Sequence, residues 1–144
     1  YYGLKDYNEP VEYGKSEILR EGSEIALVAV GNMVEETEKL YNRFLQEGRQ
    51  VTFVNARFIK PLDKEMIDRL AETHKLIVTI EEGILHGGYG ALVEEYLESK
   101  ASDVKVLPIA IEDTFVRHGS VEELRKMLKI DAESIYDRIQ NVME

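Results

Sequence analysis

The chain contains no cysteine. That excludes a disulfide framework, a thiolate zinc site and a thiol nucleophile, and it fits a reducing compartment. No apolar run approaches the roughly 20 residues needed to cross a bilayer, and no charged-then-apolar leader opens the sequence. Positive charge is also scarce: 18 Lys and Arg stand against 28 Asp and Glu, a formal net charge of −10. Nucleic acid phosphates and anionic lipid head groups require a basic surface patch, so neither is an expected partner. There is no Gly-x-Ser-x-Gly elbow to expose a nucleophilic serine. The chain reads as soluble and intracellular, with a cytoplasmic location expected. Its 144 residues, 44% of them hydrophobic, suit one domain able to bury roughly 68 to 70% of its unfolded surface.

What is present is an alternation of apolar runs with stretches of helical period. Residues 1–14 are polar, rich in Tyr and carry Pro10; they read as a linker from a preceding domain, with the domain proper at 15–144. Ile25 to Val30 is a continuous apolar run bounded by Gly22-Ser23 and Gly31-Asn32, the signature of a strand buried on both faces. Leu40, Tyr41, Phe44 and Leu45 recur at helical spacing, and Gly48 sits where a left-handed C-cap belongs. Val51 to Phe58 reads as a second strand, with Asp63 as N-cap of a helix from Lys64 to about Thr73. Leu76 to Ile80 is a third strand, followed by a Gly-rich loop and a helix whose apolar stripe is Leu92, Val93, Tyr96 and Leu97. Val104 to Ile111 is a fourth strand. Two short helices follow, Val121 to Leu128 and Ala132 to Val142, with Asp131 as the cap between them. Strands separated by helices predict a three-layer α/β fold: a mostly parallel sheet, helices on both faces, right-handed crossovers.

In such a sheet ligands collect at the carboxyl ends of the strands, which directs attention to Gly31-Asn32, Arg57 to Lys60, Glu81 to His86 and Glu112 to His118. Gly87-Gly88-Tyr89-Gly90 leads into a helix and offers free amides to an anion. It lacks the dinucleotide spacing, since Val93 stands where the third Gly would fall. The simpler reading is that these glycines allow a sharp turn and a close approach of helix to sheet. Glu81 and Glu82 end a buried strand near His86 and carry acid, base or metal-ligand chemistry in principle. Neighbours on a strand point to opposite faces, so one of the two at most shares a pocket with His86; the structural expectation is one Glu paired with a cation and the other solvated. Arg57 and Lys60 are anion candidates, Arg57 by its planar fork, or members of structural ion pairs. His118, before Gly119, titrates near neutrality or simply bonds to backbone.

Three segments, in order and spacing, resemble the C-terminal domain of thiamine-diphosphate enzymes of the transketolase type. They are Ala56-Arg57-Phe58-Ile59-Lys60-Pro61-Leu62-Asp63, then Glu81-Glu82-Gly83 with Gly87-Gly88-Tyr89-Gly90, then Phe115-Val116-Arg117-His118-Gly119. Gly14-Lys15-Ser16-Glu17 and Arg20-Glu21-Gly22 resemble the opening of that domain, so the likeness runs from about Pro10 onward. The Arg-Phe-Ile-Lys-Pro-Leu-Asp run and the His-Gly ending favour the 1-deoxy-D-xylulose-5-phosphate synthases over transketolases and the beta subunits of 2-oxo acid dehydrogenases. Ser16, Glu112-Asp113 and Lys129-Ile130-Asp131 depart from the usual pattern.

The resemblance implies a parent enzyme that condenses pyruvate with D-glyceraldehyde 3-phosphate, with loss of CO2, toward isoprenoid, thiamine and pyridoxal precursors. It implies that the diphosphate of thiamine diphosphate and Mg²⁺ are held by a Gly-Asp-Gly and Asn motif in a first domain, and that the aminopyrimidine is activated by a Glu in a second. Those motifs do not occur here, so no catalytic, cofactor-binding or metal-ligating residue is expected in this chain, which alone is expected to be inactive. Its implied partners are the preceding domains and a second protomer of a homodimer. Arg57, Lys60, Glu81, Glu82, His86, Gly87, Gly88 and His118 are the candidates for that interface or for an anion contact. The rival reading, from a different class, is a regulatory module that binds an anion or nucleotide effector on the same loops.

Overall fold

A computed structural model describes residues 12–84, 88–111, 121–127 and 129–143. In chain order the elements are β1 Glu17–Arg20, β2 Glu24–Ala29, α1 Met33–Gln46, β3 Thr52–Asn55, α2 Lys64–Thr73, β4 His74–Ile84, α3 Tyr89–Ser99, β5 Lys105–Ile111, α4 Val121–Met127 and α5 Ala132–Met143. The strands form one sheet in the order β1-β3-β2-β4-β5. β2, β3, β4 and β5 are parallel, and β1 runs antiparallel along β3 at the edge. This is the expected α/β architecture with one strand added.

Alternation along the strands divides the core in two. Ile25, Leu27, Ala29, Leu76, Val78 and Ile80 face α1 and α5, meeting Leu40, Phe44, Ile135 and Ile139. Ala26, Val28, Val54 and Ile77 face α2 and α3, meeting Ile67, Leu70, Tyr89, Val93 and Leu97. Both faces of β2 and β4 are therefore covered, which is why these strands read as unbroken apolar runs and not as alternating ones.

The helix ends follow from short-range chemistry. Gly48 adopts φ +78°, its amide bonds to the Leu45 carbonyl at 3.0 Å, and that of Arg49 reaches Phe44 at 2.9 Å. That is the paired closure of a Schellman motif, and a side chain with a Cβ is strained there. Asp63 caps α2 by accepting from the Met66 amide at 3.2 Å. Its other oxygen accepts from the Ser16 amide at 2.7 Å, so one carboxylate ties the start of α2 to the edge of the sheet. Asp131 does not act as the cap of α5 in the same way. The Ala132 amide is taken by Glu36 of α1 at 2.7 Å, and Asp131 Oδ1 is buried without a hydrogen-bond partner. The reason is tertiary: α1 and α5 lie side by side, and Glu36 arrives from the neighbouring helix.

Strand limits also differ from the periodic reading. β3 stops at Asn55 because Arg57 turns to φ +61°, a conformation that no strand continues. β4 runs back to His74 and on to Ile84, beyond its apolar segment, because β2 and β5 supply backbone partners on both sides.

Candidate functional site

The chain leaves β2 toward β3 on one side and β4 lies on the other, so the crevice where ligands settle in open α/β sheets falls between the ends of β2 and β4. Val30 of the first bonds to the Ile80 carbonyl of the second at 2.9 Å. Immediately beyond that bond stand Glu81 and Glu82.

Glu81 points to the α2/α3 face. It is 3% exposed, and its two carboxylate oxygens accept the backbone amides of Tyr89 at 2.9 Å and Gly90 at 2.7 Å. Those amides open α3, where the helix dipole and unpaired N–H groups favour a negative charge. Gly88 is the N-cap residue and has no side chain to supply a cap, so Glu81 performs the function from the neighbouring strand β4. The close seat depends on Gly90: a Cβ there would lie 2.6 Å from Thr79 Oγ1 and 2.9 Å from Pro108 Cβ. Burial, with the Asp63 and Glu81 carboxylates nearby, pushes the Tyr89 phenol well above its ordinary value. Its hydroxyl therefore stays protonated, and it is buried without a hydrogen-bond partner.

Glu82 points to the opposite face. Its Oε1 accepts from Arg125 of α4 at 2.7 and 2.8 Å. The same guanidinium lies 3.5 Å from Glu36 of α1 and 3.5 Å from the Asn32 carbonyl. Arg125 thus closes the crevice by joining the ends of β2 and β4 to α1 and α4. No motif marks it, since an Arg on a short helix of mixed charge looks like any solvated side chain.

Of the residues singled out by sequence, Glu81 is brought against Gly88-Tyr89-Gly90, and Glu82 is separated from them by the sheet. The expectation that one glutamate is solvated is corrected here: Glu82 has its cation, but Glu81 is buried on helix amides. Arg57 pairs with Glu17 of β1 at 2.5 Å and makes no bond to either glutamate. Lys60 is exposed and, among the described residues, has no ion-pair partner. His86, Gly87 and His118, with Glu112-Asp113 and Phe115 to Gly119, lie outside the described residues.

The family model described as the transketolase C-terminal domain matches residues 14–135. The chain belongs to this family. The transketolase C-terminal domain described here is 43% identical over 140 residues to the 1-deoxy-D-xylulose-5-phosphate synthase of Lachnoclostridium phytofermentans, spanning 96% of the chain and 22% of that protein. It is 39% identical to the synthase of the same name from Clostridium acetobutylicum, over 88% of the chain and 20% of that protein. The domain thus spans about a fifth of the length of these relatives. A solved structure described as a split gene transketolase, inactive beta4 tetramer, superposes with a TM-score of 0.86 over 96% of the chain and 45% of that one, at 24% identity. That match supports the fold.

Proposed function

We propose that this chain is the assembly domain of a 1-deoxy-D-xylulose-5-phosphate synthase, packing on the preceding domains of the same polypeptide and contributing to a homodimer. The whole enzyme in this reading condenses pyruvate with D-glyceraldehyde 3-phosphate and releases CO2. The observation that carries the proposal is the internal use of the charged groups at the strand ends. Glu81 is held by helix amides, Glu82 by Arg125, and Arg57 by Glu17. A catalytic carboxylate or anion-binding Arg must instead face substrate.

The family's cofactor is thiamine diphosphate, and the described residues do not fit it. They include no group of three or more His, Asp or Glu able to hold a metal ion, and the amides at the start of α3 that would suit a diphosphate already hold a carboxylate. In this reading cofactor and Mg²⁺ are held by other domains, and no chemical step is assigned to this chain. The same occupied amides argue against the effector module, whose anion would have to displace a buried internal one.

The test is a comparison of two preparations, the natural gene product that contains residues 1–144 and the purified 144-residue chain. Each is supplied with pyruvate, D-glyceraldehyde 3-phosphate, thiamine diphosphate and Mg²⁺, and CO2 release and sugar phosphate formation are followed. Turnover by the first and none by the second is expected. Steady turnover by the chain alone would overturn the assembly role, and none by the whole product would overturn the synthase reading.

A further inference from the structure

α3 does not bury its whole apolar stripe. Tyr89, Val93 and Leu97 enter the core, whereas Leu92 and Tyr96 stay partly open to solvent. Together with Ile59, Lys60, Leu62 and Lys64 they line a groove of about 310 Å³ between the turn after β3 and the outer face of α3. Its floor is apolar and aromatic. Ile59, in the lining, is 38% exposed, and Leu62, Leu92 and Tyr96 beside it are half-buried. Exposed apolar side chains gathered at one place, and not scattered, mark an interaction surface.

The rim states the charge of what it receives. Lys60 and Lys64 have no carboxylate within ion-pair distance among the described residues; Lys64 lies 5.5 Å over the Tyr96 ring. The Tyr96 hydroxyl is already engaged with Asp68 at 2.9 Å, which leaves the ring as a contact face. Glu95 is the acidic member of the lining. Two unpaired lysines side by side in a chain of net charge −10 fit a partner that brings carboxylates.

We propose that this groove seats an acidic segment with an apolar centre, contributed by another domain of the polypeptide that carries this chain. The proposal rests on the assembly reading and locates its contact surface. The chain spans about a fifth of the length of its relatives, so ample partner surface exists in that reading. A second copy of residues 1–144 on the same groove is an outcome that the crosslinking test distinguishes.

A photo-crosslinking residue placed at Ile59 in the natural gene product, with a control at Leu45 of α1, tests it. Leu45 is 49% exposed on the α1/α5 side of the sheet. The expected result is an adduct from position 59 to a segment outside residues 1–144 of the same gene product, with Asp or Glu beside the attached residue. The adduct yield should fall about tenfold in K60E/K64E, which corresponds to about 1.4 kcal/mol; both lysines are exposed, and circular dichroism checks the fold. No adduct at 59, an adduct to another copy of residues 1–144 or to a different protein, or a yield unchanged by charge reversal would each overturn the proposal. Turnover measured on the same preparations separates the two readings. An inactive gene product that crosslinks as described removes the synthase reading and leaves the groove, whereas an active one that does not crosslink removes the groove alone.

Discussion

Glu81 and Glu82 are neighbours with the same side chain, and the sheet places them in different physical worlds. Glu81 lies among backbone dipoles on one face, its charge balanced by two amides that cannot move away without unwinding α3. Glu82 lies on the other face, partly open to solvent, balanced by one guanidinium that it shares with Glu36. The lesson is that a strand's twofold alternation separates two adjacent acids more completely than many residues of sequence do. One is a fixed part of the fold, and the other is an adjustable tie between elements.

Removing the fixed charge should have the largest effect. Glu81→Ala strips two charge-assisted hydrogen bonds and leaves two buried amides unpaired, a loss of about 3 kcal/mol. In a chain of this size that lowers Tm by about 10 °C, measurable by calorimetry. Glu81→Gln keeps the shape and one acceptor and should recover part of the loss; a Glu81→Gln chain as stable as the natural one would mean that charge plays no role in the cap. Gly90→Ala attacks the same seat from the helix side. Its methyl group would press on Thr79 and Pro108, and overpacking of this kind costs about 2 kcal/mol. Thr79→Ala in the same chain should return some of that stability, and an unaltered Tm in Gly90→Ala would show that the helix can shift without penalty.

The adjustable tie predicts less. A double-mutant cycle on Glu82 and Arg125 should give a coupling of about 1 kcal/mol, reduced by added salt. A coupling as large as the Glu81 loss would erase the contrast between the two acids. The smallest effect is expected at the other end of the same strand, where His74 Nε2 meets Thr52 Oγ1 at 2.7 Å. Burial holds the His74 pKa below its ordinary 6.5, with Arg69 adding to the effect, while its bond to the Leu70 carbonyl acts in the opposite direction. The native state therefore binds this proton less readily than the unfolded one. Stability due to His74 is fully present above pH 6.5 and declines as pH falls below that value toward the lowered pKa. Denaturant midpoints measured from pH 7.5 downward should show that decline, and His74→Gln should flatten it.

Most of the layer structure was legible from residues alone. Ile25 to Val30 and Leu76 to Ile80 read as strands covered on both sides, and Gly48 and Asp63 announced the end of α1 and the start of α2. β1 was not legible, because Glu17-Ile18-Leu19-Arg20 is short, half-buried and bounded by charge, so its pairing with β3 depends on an edge that exists only once the sheet has formed. The candidate site was legible as a set of loops and not as a set of contacts. Arg125 was invisible, and neither Glu81 nor Glu82 was expected on backbone amides, because the amides that bind Glu81 belong to a helix eight and nine residues further along the chain.

Sequence by itself determined the order of the four parallel strands and the helices between them, and the helix ends with local caps, since these depend on periodicity and on residues within one turn of each other. Tertiary structure decided which carboxylate met an amide, which met a guanidinium, and which apolar residues of α3 stayed outside the core. Those outcomes depend on the face each side chain takes and on what another element brings to that face. Neither is encoded in neighbours along the chain.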